Sequence, residues 1–127
     1  MRALFLSICI CLLAPTLSLA QSNGNNRLDP KVLLRSKTDE FAAHASRNSL
    51  RAVSNSYNDI KVLLEEFMNE TQLKLNNAVE PQKTQLQQKL KQQQLLYANI
   101  NSLYTANPLQ NSSTINTKLQ SFLQTLY

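Results

Sequence analysis

Apolar positions recur at helical spacing along the chain. Val53, Tyr57, Ile60, Leu64, Phe67 and Thr71 step by 4, 3, 4, 3, 4. Five of the six are apolar, and this heptad-like seam lays one stripe along an α-helix. Leu63, Met68 and Leu75 widen it, and it fades at Asn76 and Asn77. Pro81 marks the next boundary, because the residue before a proline avoids helical dihedrals. One kinked helix through Pro81 is the alternative.

A second seam follows from Pro81 to about Thr105: Leu86, Leu90, Gln93, Tyr97, Ile100 and Tyr104, with the same steps. Its first half is rich in Gln and Lys, which are good helix formers and read as a solvated face. Gln93 puts a polar residue in the seam, where it fixes register at a cost in stability. Asn107 and Pro108 stop this helix. A last stripe, Ile115, Leu119, Phe122 and Leu126, starts near Ser112 or Ser113.

Upstream, Asp29 and Pro30 open a helix as cap and first-turn residue. Val32, Leu33, Leu34, Phe41 and Ala45 supply its stripe to about Ser46. The segment Ser46-Arg47-Asn48-Ser49 holds two potential caps and leaves open either a break or one long helix. Short connections make antiparallel neighbours. The expected fold is therefore all-α: an up-and-down bundle of three or four antiparallel helices with coiled-coil-like seams over residues 29–127. The polar stretch at 21–28 reads as a disordered N-terminal tail.

The first twenty residues change the picture. Arg2 precedes a largely apolar stretch of twelve residues, Ala3 to Ala14, and Ser18-Leu19-Ala20 supplies small residues before Gln21. This is the three-part pattern of a signal peptide at 1–20, too short for a good transmembrane anchor, which needs about 20 apolar residues. Cleavage after Ala20 removes both cysteines, Cys9 and Cys11. The expected product is secreted, extracellular and free of disulfides, so its core alone must hold it together. It also loses Arg2, leaving twelve basic residues against eight acidic ones. A net charge of +4 without a Lys/Arg cluster excludes a nucleic-acid reading.

Export gives two sequons meaning. Asn69-Glu70-Thr71 and Asn111-Ser112-Ser113 both fit the glycosylation acceptor pattern. Asn111 is the better candidate, in a polar loop after Pro108. Asn69 lies on the solvent side of a helical pattern.

Chemistry is sparse. His44 is the only histidine, so no transition-metal site or His-dependent triad is expected. A single Gly excludes glycine-rich phosphate loops and argues against a β-sandwich. Glu66 and Glu70, one helical turn apart beside Glu65, read as a solvated face. No cofactor is expected, and no enzyme.

The composition, with 14 Asn, 12 Gln and no Trp, resembles the Cys-free, Gln/Lys-rich exchangeable apolipoproteins of insects in kind. It is also similar to short glycosylated proteins of insect seminal fluid. No residue motif carries either resemblance. The reading that follows is a secreted non-enzymatic interaction protein. It would pair with an unidentified protein partner or with itself, in seminal or another body fluid. A carrier of lipid or small apolar ligands is the alternative, disfavoured by the narrow seams. A membrane-active defence or venom-like protein is a third, weakened by the modest charge.

Overall fold

The computed structural model describes residues 29–127. The expected signal peptide at 1–20 and the tail at 21–28 lie outside the described residues. Among the described residues there are four helices and no strand: α1 (Pro30–Ser46), α2 (Leu50–Asn76), α3 (Gln82–Ala106) and α4 (Ser112–Gln124).

Local chemistry sets the helix ends. The Asp29 carboxylate accepts the Lys31 N–H at 2.9 Å, and Pro30 occupies the first turn, where its missing donor costs nothing. The break between α1 and α2 is a Schellman turn. Asn48 N–H donates to the Ala45 carbonyl at 3.0 Å, and Ser49 N–H donates to that of His44 at 3.1 Å. Asn48 takes φ 57°, a left-handed conformation that Asn tolerates better than other Cβ-bearing residues. The open choice at residues 46–49 is thus decided in favour of two helices. Pro81 likewise separates α2 from α3. It occupies the N-cap position, so α3 starts at Gln82, one residue later than the sequence suggests.

Paired contacts show that neighbours run antiparallel. Lys37 meets Asp59 at 3.2 Å, and the Ser56 hydroxyl reaches Glu40 at 3.5 Å, joining α1 to α2. The Tyr57 hydroxyl donates to Asn101 and that of Tyr97 to Glu65, joining α2 to α3. Asn111 Nδ2 donates to the Leu103 carbonyl at 2.9 Å, and Gln93 Nε2 to Thr125 Oγ1 at 3.1 Å, joining α3 to α4. The α4 helix packs back on α1 and closes the ring.

Leu34 and Phe41 of α1, Ile60 and Leu64 of α2, Ile100 of α3 and Leu119 and Phe122 of α4 are fully buried. Each such side chain contributes roughly 1.5–3 kcal/mol by leaving water. Two threonines also lie inside. Thr38 donates to the Leu34 carbonyl at 2.8 Å and Thr71 to that of Phe67 at 3.0 Å, which satisfies both hydroxyls within their own helix. Thr38 corrects the expected stripe of α1. The buried line is Leu34, Thr38, Phe41, whereas Val32 is 51% exposed. No helix among the described residues is long and apolar enough to cross a membrane.

Candidate functional site

The polar groups that the fold brings together lie mostly between α2 and α3. Tyr57 stands on α2 facing Tyr104 and Asn101 of α3, and Glu65 stands two turns further along facing Tyr97. Burial chiefly pushes the Tyr57 phenol well above its ordinary range; the charges that Tyr97, Tyr104 and Glu65 would carry add to this. Tyr97 is raised too, first by burial and then by its hydrogen bond to Glu65. Phenols shifted this way remain neutral donors at physiological pH. In that state they pack and donate hydrogen bonds, as Tyr57 does to Asn101 and Tyr97 to Glu65.

A second polar contact lies between α3 and α4. Gln93 is fully buried; its Nε2 donates to Thr125, while its Oε1 has no protein partner. Thr125 in turn donates to the Phe122 carbonyl at 2.6 Å. On the α1–α2 face, hydrogen bonds to Asp59 and then to Glu40 raise the Lys37 pKa.

The seam residues divide into two groups. Val53, Tyr57, Ile60, Leu64, Phe67, Leu90, Ile100, Leu119 and Phe122 are buried. Leu86, Tyr97 and Tyr104 are half-buried. The second group belongs to α3, which buries three positions in 25 residues and whose first turns extend beyond the end of α4. Of the sequon residues, Asn69 is exposed in mid-α2. Asn111 departs from the expected open loop: it is half-buried at the N-cap of α4, and its side-chain nitrogen is bound to Leu103. It therefore caps the carboxyl end of α3 while opening α4.

Among the described residues, no group of three His, Cys, Asp or Glu is placed to hold a metal ion. His44 is half-buried, with Nδ1 3.3 Å from the Arg47 guanidinium. Glu66 and Glu70 are exposed, and Glu70 pairs with Lys74 at 3.5 Å.

Concavities lie at the surface. The α1–α2 groove, about 260 Å³, has Leu33, Val62 and Leu63 beside Lys37, Asp59 and Glu66. The α1–α4 groove, about 280 Å³, includes Ala42, Ala45, Ser112 and Asn116. A smaller notch of about 80 Å³ brings together Lys31, Lys74 and Lys89. These lysines come from three helices and share no spacing, so sequence reading passes over them. The chain matches no protein-family model, no curated protein and no solved structure.

Proposed function

We propose that the chain is an exported, non-enzymatic helical protein that works through surface contacts, with another protein or with its own copies. The packed interior is the observation that carries this reading. Leu34, Phe41, Leu64, Ile100, Leu119 and Phe122 leave no exposed atoms and fill the space between the helices. The grooves described above open on the outside instead, and the α1–α2 groove combines apolar and charged side chains as contact surfaces do. The signal-peptide pattern of residues 1–20 and the acceptor residues Asn69 and Asn111 support an extracellular setting.

A carrier of apolar molecules would have to open this core onto lipid. Flotation with phosphatidylcholine vesicles, followed by far-UV circular dichroism, separates the two functions. The contact reading expects the protein to remain below the vesicles with unchanged helicity. Co-flotation with a gain in helix would replace it with the carrier reading.

A further inference from the structure

Unequal helix lengths build a basic notch at one end of the bundle. The α2 and α3 helices have 27 and 25 residues, against 17 and 13 for α1 and α4. At about 1.5 Å per residue, α2 outruns α1 by roughly 15 Å. The first turn of α1 and the turn after α4 therefore end against the flank of the longer pair, leaving the cavity of about 80 Å³.

Lys31 of α1, Lys74 of α2 and Lys89 of α3 share its wall with Phe67 and Leu126. Packing alone gives no reason for three lysines from three helices to line one small cavity. The one carboxylate on that wall, Glu70, is already paired with Lys74 at 3.5 Å. Among the described residues, Lys31 and Lys89 belong to no ion pair, although both are half-buried. Lys31 instead lies 5.0 Å from the ring centroid of Tyr127. An anion seated among cationic side chains is attracted by each of them, most strongly where water is partly excluded.

We propose that this notch binds a sulfate or phosphate group, either as the free ion or as the end group of a sulfated saccharide, with Lys31 and Lys89 as its donors. The lysine ammonium suits the task, since it is a compact charge with three rotatable donors. The cavity holds the volume of only about two to three waters, at ~30 Å³ each. It therefore admits the oxyanion itself and leaves the rest of a larger ligand outside.

The test is titration of the purified protein with inorganic phosphate and with inorganic sulfate, at ionic strength held constant with chloride. Thermal midpoint and tyrosine fluorescence are both read, because Tyr127 lies against Lys31 and reports on its occupancy. The expected result is a saturable rise in midpoint beyond the chloride control. Lys31→Gln and Lys89→Gln should each weaken binding about tenfold, the loss of one charge-assisted hydrogen bond. Lys89→Arg should retain most of it. Lys61→Gln and Lys118→Gln, outside the notch, should leave it unchanged.

Circular dichroism of the glutamine variants checks that they fold, and Lys74→Gln provides a further variant on the same wall. Tighter binding of a sulfated disaccharide, with the same lysine dependence, assigns the group to a saccharide. Equal or weaker binding assigns it to the free ion. A response no greater than that to chloride overturns the proposal. So does oxyanion binding indifferent to both Lys31→Gln and Lys89→Gln.

Discussion

Tyr57 and Tyr104 stack face to face across the α2–α3 interface, with ring centroids 3.8 Å apart and planes 6° from parallel. The contact joins two long helices through flat surfaces, and the Tyr57 hydroxyl completes it by donating to Asn101. Burial keeps the Tyr57 phenol protonated well past the pH at which a free phenol ionises.

Alkaline pH should therefore act on this interface. In the unfolded chain Tyr57 ionises near pH 10, whereas in the folded chain its pKa is higher. Between the two values the unfolded state binds fewer protons, so stability falls as pH rises. The stabilisation is fully present below about pH 10 and is lost as pH climbs toward the folded value. Tyrosinate absorbance should show Tyr57 silent until helicity collapses, and Tyr57→Phe should lessen the alkaline loss. Full titration of all tyrosines near pH 10 with helicity intact would refute the buried stack.

Leu64 and Tyr97 stand in equivalent seams but in different surroundings. Leu64 has no exposed surface, so Leu64→Asp forces a carboxylate into the core and should cost about 3 kcal/mol or more. Tyr97 is half-buried beside Glu65. Tyr97→Asp loses that hydrogen bond and sets a second carboxylate near the first, for a cost of about 1–2 kcal/mol that added salt reduces. Urea unfolding of both variants measures the order. Equal midpoints would contradict the placement of these residues.

Gln93 makes a prediction of opposite sign. Its Oε1 is buried without a protein partner, and Thr125 keeps a bond to Phe122 whether or not Gln93 is present. Gln93→Met, close in shape, should leave stability unchanged or raise it by about 1 kcal/mol. A clear loss in urea midpoint would show that this amide has a partner or a registering role essential to the fold.

Asn48 carries the turn between α1 and α2. Asn48→Gly should be tolerated or mildly stabilising, since φ 57° suits glycine. Asn48→Val should cost about 1–2 kcal/mol, because a branched Cβ crowds the left-handed conformation. Thermal midpoints of the two variants check this, and equal values would contradict the turn.

The elements were legible wherever apolar residues kept helical spacing. The stripes through Val53–Phe67 and Ile115–Phe122 mark α2 and α4 directly, because those positions face the interior along their whole length. The stripe of α1 was harder to read, since Thr38 lies at a core position and hides its polarity by bonding to Leu34. Leu86, Tyr97 and Tyr104 have core spacing yet remain half-open, because coverage depends on where neighbouring helices stop. No local pattern encodes that relation. The same limit hid the notch of Lys31, Lys74 and Lys89, which exists only once the ends of α1 and α4 meet the flank of α2 and α3. Asn111 shows a different limit: its role as a cap emerges only when its amide reaches Leu103, eight residues back.

The claim that an exported, thiol-free helical chain acts at its surface is tested most directly by mass spectrometry. Cells expressing all 127 residues would be cultured and the protein recovered from their medium. The account predicts a chain beginning at Gln21, carrying extra mass at Asn69 or Asn111 that a glycosidase removes. Protein held inside the cells with residues 1–20 still attached would contradict it.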